Sequence, residues 1–282
     1  MNIGLISLQY GGLTGSETYM YTLAKTLHSR GHKVSISCVS KDGPLISRTE
    51  NLGIPISYIA DITSYPDVYH VQHAPAVEAL LAVDHLTPKV MTIHSEIIPH
   101  YEEPVEHYSI KKYVGVRPAI IRMLAKKNIT AKLIYNGIDT AQFRRTPLPA
   151  GGPIILFAGT KDHLREKVAV DLINEVANRS AKIIFCGHGW GKCASVSHPS
   201  VMFLNGVEHI ERIIAQATEV AGVQMGRWEL EGWLMGRPSI EYTVDQTGDI
   251  LKKRYRRVPA NITRYTADYM TTEYEKLYRQ LL

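Results

Sequence analysis

Two hydrophobic periods alternate along this chain. Short β-branched apolar runs are followed by stretches whose apolar residues recur at three- and four-residue spacing, the signature of βα units and parallel sheets. In the first half the pattern predicts strands near Asn2–Ser7, Lys33–Val39, Ile56–Ile59, Asp67–His73, Lys89–His94 and Lys132–Asn136. Helices are expected near Ser16–Ser29, Pro75–Val83 and Pro118–Lys127. The stretch Thr146–Pro153 is dense in Pro and Gly and reads as an interdomain linker. The pattern then restarts. Strands are expected at Ile154–Ala158, Lys182–Cys186, Val201–Leu204, Glu219–Val223 and Pro238–Tyr242, with helices at Arg165–Asn178, Glu208–Ala217 and Trp228–Met235. Met270, Tyr274, Leu277, Tyr278 and Leu281 form one apolar stripe, so the last segment is an amphipathic helix that must pack on something. The fold class is therefore α/β, with two Rossmann-like βαβ domains facing across a cleft. Parallel sheets bind ligands at the carboxyl ends of their strands, which makes that cleft the expected site.

Composition narrows the class. The chain has 282 residues, 45% hydrophobic and 21% charged, which supports a sizeable core. No apolar run approaches the roughly 18 residues of a membrane span. The start, Met1-Asn2-Ile3-Gly4-Leu5-Ile6, has no basic leader or small-residue cleavage site. Three cysteines, Cys38, Cys186 and Cys193, are too few for a disulfide framework. Together these predict a cytoplasmic protein. The net charge of +5 concentrates in Lys111-Lys112 with Arg117, Arg122, Lys126 and Lys127, and in Lys252–Arg257. A solvated face, an anionic membrane surface and a nucleic acid all fit these clusters, and composition does not separate them.

Three segments carry candidate chemistry. Gly11-Gly12-Leu13-Thr14-Gly15-Ser16-Glu17 follows the first strand and opens a helix, with Thr14 and Glu17 at capping-box spacing. Its glycines allow close backbone approach, and a helix start favours a phosphate. An ordinary βα turn would use the same glycines. Gly159–Lys167 brings Lys161, Arg165 and Lys167 to the end of a strand, where cations could neutralise a diphosphate leaving group. Gly226–Pro238 places Glu231 near a helix start, where a carboxylate can accept paired hydrogen bonds from a ribose diol or serve only the helix dipole.

With these residues in order, the chain resembles the retaining GT-B glycosyltransferases of the family 4 type over nearly its whole length. The resemblance runs through Gly11-Gly12, Leu23–Leu27 with Gly31–Val34, Asp67–His70, Thr92–His94, and Asn136–Asp139 with Phe143. It continues through Phe157–Gly159, Gly187–Gly189, Phe203–Val207 and Glu231–Pro238. It implies an acceptor-side domain over 1–147, a nucleotide-sugar domain over 148–265, and a C-terminal helix, 266–282, packing back on the first. It also implies transfer of a hexose from a UDP- or GDP-sugar to a hydroxyl, with retention and without a metal or other cofactor. His94 would lie beside the transferring sugar, and Arg165 and Lys167 would hold the diphosphate, with Thr160 where the family has arginine. Gly11, Gly12, Thr160, Lys161, Gly187, Val207, Gly226, Arg227 and Glu231 would complete the donor contacts. One departure stands out: eight residues before Glu231, where the family carries a second glutamate, this chain has Val223. The acceptor would be a hydroxyl on a glycan, lipid or small molecule, or on a hydroxymethylated base of viral DNA. Peripheral membrane contact is compatible with the basic clusters. A GT-B-like module that binds a nucleotide without transferring is the competing class.

Other chemistries fit less well. His70 and His73, three apart on a strand, face opposite sides and would not share zinc. Cys186, His188 and Cys193 match no common zinc spacing. The segment Gly187–Lys192 lacks the Ser/Thr of a Walker loop, and Gly11–Gly15 lacks the dinucleotide fingerprint.

Overall fold

Each half of the chain folds into a parallel sheet, as its alternating periods require. The computed structural model describes residues 1–96, 99–177, 180–192, 198–205 and 207–282. Cys193, weighed above as a zinc ligand, Gly206 of the Phe203–Val207 segment and Asn178 lie outside them.

The first unit comprises residues 1–137 and 264–282. Its elements are β1 (Asn2–Tyr10), α1 (Gly15–Ser29), β2 (Lys33–Lys41), α2 (Leu45–Glu50), β3 (Ile56–Tyr58), β4 (Val68–Gln72) and α3 (Ala74–Val83). They continue with β5 (Lys89–Ile93), α4 (Pro99–Glu102), β6 (Ile110–Gly115), α5 (Pro118–Lys126) and β7 (Ala131–Leu133). The seven strands lie in the order β3-β2-β1-β4-β5-β6-β7, all parallel. The second unit, residues 138–263, holds β8 (Ile154–Ala158), α6 (His163–Ala177), β9 (Lys182–Cys186), β10 (Val201–Leu204), α7 (Ile210–Gln216), β11 (Glu219–Val223), α8 (Arg227–Leu234), β12 (Ser239–Val244) and β13 (Ile250–Arg256). Its order is β10-β9-β8-β11-β12-β13, with only β13 antiparallel. Both sheets therefore reverse direction beside their first strand, at β1/β4 and at β8/β11. In doubly wound sheets that reversal opens a crevice at the strands' carboxyl ends.

The first unit ends at Gly137, short of the Pro/Gly-rich linker, because Arg237 ties Thr146 and Pro147 into the second unit. The C-terminal helix α9 (Ala267–Arg279) belongs to the first unit and packs on α1. Met270, Tyr274, Leu277 and Tyr278 of its stripe are buried in the core of β1, β2 and α1. A polar seam fixes the helix in register. Tyr19 donates to the Tyr274 hydroxyl at 2.6 Å, His70 Nδ1 shares a proton with Tyr278 at 2.6 Å, and Thr92 Oγ1 lies 2.9 Å from both Tyr274 and His70. Burial holds the His70 pKa down at about 3, so its imidazole is neutral. A hydroxyl-lined seam can satisfy a neutral ring without a counter-ion.

Two elements carry basic clusters. On β6, Lys111 and Lys112 are exposed, whereas Arg117 is buried and pairs with Glu96 at 2.6 Å. On β13, Lys253 pairs with Glu175 while Arg256 reaches Glu241 and the buried Glu229. Each cluster is thus part internal pairing and part free surface.

Candidate functional site

The same backbone device recurs at the crevice end of each sheet. After β1, Gly11 adopts φ 129°, and a Cβ there would lie 2.4 Å from the Asp42 carbonyl. After β2, Gly43 faces it at φ 119°, its own Cβ position 2.4 Å from the Gly11 carbonyl. In the second unit Gly159 (φ 138°) and Gly187 (φ 146°) repeat the close approach, and a Cβ on Gly187 would lie 2.3 Å from the Gly159 carbonyl oxygen. Only glycine fits such a position. Lys161 N–H donates to the His188 carbonyl at 2.8 Å and Trp190 Nε1 to the Gly159 carbonyl at 2.7 Å, closing the two loops together.

The anticipated residues fall into two sets. In the second unit Thr160, Lys161, Arg165 and Gly187 gather around this closed loop pair. Arg165 pairs with Asp162, and Lys161 with Glu166 at 2.9 Å. Lys167 turns to the β12–β13 turn, donating to the Thr247 carbonyl at 2.8 Å and reaching Asp249 at 3.3 Å. These pairs are partly to largely exposed, from 29% at Lys161 to 72% at Asp249, so each is worth about 0–1 kcal/mol and exchanges readily for a stronger anion. Asp162 also caps α6 by accepting the Arg165 N–H at 2.7 Å.

Gly226 caps α8, and one turn on Arg227 Nη2 lies 3.2 Å from Glu231 Oε1. Both are buried. Desolvation raises the Glu231 pKa and lowers that of Arg227, and each opposes the shift of the other. Burial pushes the Cys186 thiol up to about 11, against a hydrogen bond from the Val207 backbone and with the charge of Glu231. Val207 and Glu231 therefore converge on the end of β9. Val223, the last residue of β11, is buried, and Gln224 follows it at φ 56°.

In the first unit Gly11, Gly12 and His94 lie at the ends of β1 and β5. The expected capping box is not formed. Thr14 Oγ1 donates to Glu17 Oε2 at 2.6 Å, and Glu17 Oε1 accepts the Gly12 N–H at 2.9 Å. The carboxylate folds back onto the glycine loop because Gly12 has no side chain to block it. His94 is fixed at both ends. Its backbone N–H donates to Glu102 Oε2 at 2.6 Å, and its Nε2 lies 2.8 Å from Gln72 Oε1. Gln72 Nε2 faces Ser7 Oγ at 2.9 Å and the Ser16 carbonyl at 3.4 Å. A carbonyl only accepts, so the amide nitrogen faces it, the amide oxygen faces His94, and Nε2 carries the imidazole proton.

Glu102, Gln72 and Gly43 carry no sequence pattern that marks them, and His73 stands out only through its spacing from His70. His73 caps α3 at φ 67°, a conformation rare outside glycine. Its Nε2 lies 4.0 Å from Glu102 Oε1. Burial pulls His73 down to about 4 and raises Glu102 to about 7; in the second unit it raises Glu229 to about 7. These shifts set a pH profile. His70 and His73 bind protons only when unfolded between about pH 6.5 and 4, so acidification destabilises. Glu102 and Glu229 bind protons preferentially when folded between about pH 4.5 and 7, so acidification stabilises. The thermal midpoint is expected to change little from pH 6.5 to 4.5 and to fall steeply below 4.5, where the histidines act without opposition. A midpoint that climbs below pH 4.5 in a melting series at fixed ionic strength would contradict this.

Among the described residues no group of three His, Cys, Asp or Glu is placed to hold a metal, and no helix is long and apolar enough to cross a membrane. Residues 13–142 match the family model for Glycosyltransferase Family 4. Compared with curated protein sequences, the chain matches none. Solved structures share the fold. Anabaena HepE in complex with UDP-glucose superposes with TM-score 0.72 at 14% identity, covering 100% of this chain and 98% of that one. Sucrose-phosphate synthase from Thermosynechococcus elongatus gives 0.67 at 13% identity over 100% and 99%. An α-glucosyltransferase in complex with UDP and a 13-mer DNA containing an HMU base gives 0.61 at 10% over 100% and 90%. The chain thus has the GT-B fold, with two Rossmann-like sheets, and resembles Glycosyltransferase Family 4 over residues 13–142.

Proposed function

We propose that this chain, with its GT-B fold and its family 4 signature over residues 13–142, is a cytoplasmic hexosyltransferase. It moves a sugar from a UDP- or GDP-sugar to an acceptor hydroxyl, with retention of configuration and without a metal. The acceptor oxygen replaces the β-phosphate oxygen at the anomeric carbon on the same face. The hydroxyl proton departs with the nucleoside diphosphate.

The observation that carries this reading is the crevice end of the second sheet. There the Gly159 and Gly187 loops close on each other after β8 and β9 beside weakly paired cations, and the Arg227–Glu231 couple opens the helix that follows β11. Lys161 and Arg165 exchange their surface carboxylates for the diphosphate and stabilise its charge as it leaves. Lys167 joins them by letting go of Asp249. Glu231 accepts from the ribose diol, and the Val207 backbone contacts the base. Thr160, Gly226 and the Gly11-Gly12 loop line the donor. His94, held by Gln72, contacts the transferring sugar.

UDP-glucose, bound in the Anabaena protein, is the first donor to try. Incubation with UDP-, GDP- and dTDP-sugars should release nucleoside diphosphate with at least one of them. Silence across all donors and acceptors would leave a nucleotide-binding module instead. A hydroxymethylated DNA base is a second acceptor reading, favoured by the exposed Lys252 and Arg254 on β13 and by the DNA-bound α-glucosyltransferase of like fold. It enters the same assay as one acceptor arm.

A further inference from the structure

A cavity of about 260 Å³ opens at the β1/β4 reversal of the first unit. It is smaller than the roughly 300–1,000 Å³ that drug-sized ligands fill. One ring or one residue of a longer chain is the size it admits.

Its lining is unusual in charge. Glu17 and Glu102 supply two carboxylates, and among the described residues no lysine or arginine lines it. A phosphate or sulfate there would meet two acidic side chains and no cation in the lining, since Arg117, which acts on Glu102 from outside it, is paired with Glu96; this disfavours anionic ligands. The remaining groups, the Gln9 amide and the Thr14 and Ser16 hydroxyls, both donate and accept, as hydroxyls on a ligand do. Tyr101, 40% exposed, stands at the edge with its ring against His73 and offers an apolar face. His73 holds its left-handed φ of 67° at this same cavity, and strained backbone of that kind concentrates at ligand sites. Glu102 Oε1 and His73 Nε2, 4.0 Å apart, are too distant to bond each other directly.

We propose that this cavity takes a neutral, polyhydroxylated group of monosaccharide size, held through its hydroxyls by Glu17 and Glu102, and that it discriminates against phosphorylated acceptors. The inference rests on the glycosyltransferase reading and names its acceptor class. Carboxylates accept from adjacent hydroxyls while Tyr101 covers the ring's C–H face.

The test is direct binding to the full chain. Methyl glucoside, galactoside and mannoside are titrated in the presence of UDP and followed by saturation-transfer NMR and calorimetry, beside hexose 6-phosphates, a polyprenyl phosphate and a hydroxymethyluracil duplex. At least one neutral glycoside should bind saturably and more tightly than its 6-phosphate. Glu102→Ala and Tyr101→Ala should each weaken it by about tenfold, the loss of one charged or stacked contact, while UDP affinity is retained. Tyr101 is exposed enough that its variant tests the cavity even if Glu102→Ala misfolds. The proposal is overturned if no neutral glycoside binds, if the phosphates, lipid or DNA bind as well or better, or if both variants bind like the parent. UDP-sugar turnover is scored on the same samples. Donor consumption without glycoside binding sinks this inference alone. Glycoside binding without any UDP affinity sinks the glycosyltransferase reading and leaves the cavity as a sugar-binding site.

Discussion

Replacing Arg237 by Met is expected to destabilise the second unit by about 3–5 kcal/mol, the range seen when a buried charged network loses a partner. Arg237 is fully buried, yet among the described residues no carboxylate pairs with it. Its guanidinium instead serves six acceptors at 2.8–3.2 Å: the carbonyls of Thr146, Pro147, Ile214, Ala215 and Met235 and the Thr146 hydroxyl. Methionine fills most of the volume but leaves those acceptors buried and unsatisfied, each at a cost of about 1–3 kcal/mol before relaxation. Lysine should recover little, because a point charge with three donors cannot reproduce the planar fork. All three tryptophans, Trp190, Trp228 and Trp233, lie in the second unit, so their fluorescence in a urea titration follows that unit alone. A loss below about 1 kcal/mol would mean that water enters and satisfies the carbonyls once the guanidinium is gone.

The second large effect is expected at Glu231. Glu231→Ala should weaken UDP binding by about 100-fold or more and also lower stability, because it leaves Arg227 buried without its carboxylate. The two losses have different origins and can be separated. Adding Arg227→Met removes the cation that has lost its hydrogen-bonded carboxylate, so the double variant should regain much of the stability of the parent. It should not regain UDP affinity, since the group proposed to accept from the ribose is still missing. Urea unfolding and UDP calorimetry on the four proteins of this cycle give both coupling energies. If stability and affinity recover together, Glu231 only neutralises Arg227 and has no role at the ribose.

Both predictions turn on the block Gly226–Pro238, and it shows what a local pattern carries. Gly236 ends α8 at φ 84°, and Pro238, without an N–H, marks where β12 begins. Those roles are local and could be read from residue type. What Arg237 binds depends on Thr146, Pro147 and Ala215, which approach from distant parts of the chain. Similarly, Thr14 and Glu17 had capping-box spacing, but the carboxylate went to Gly12 because tertiary packing offered that amide.

Some elements left no periodic trace. The run Ile250–Arg256 reads as a basic cluster, yet it forms the antiparallel edge strand β13, where Arg256 is drawn to the Glu229 and Glu241 carboxylates. The run Ile110–Gly115 was hidden in the same way by Lys111 and Lys112, both exposed on β6. Glu102 sits in a polar segment with nothing to distinguish it from a surface glutamate. Its burial follows only from the fold of α4 over the ends of β4 and β5.

The sequence by itself determined the α/β class, most strand and helix positions, the apolar stripe of the C-terminal helix and the glycines at three of the four crevice turns. Period and backbone permissiveness are properties of neighbouring residues, so they survive in one dimension. Only the tertiary structure decided which charges are paired, which histidine nitrogen holds its proton, and that a carboxylate-lined cavity exists at the first sheet's reversal. Those depend on burial and on partners far apart in sequence, and desolvation has no counterpart in a linear pattern.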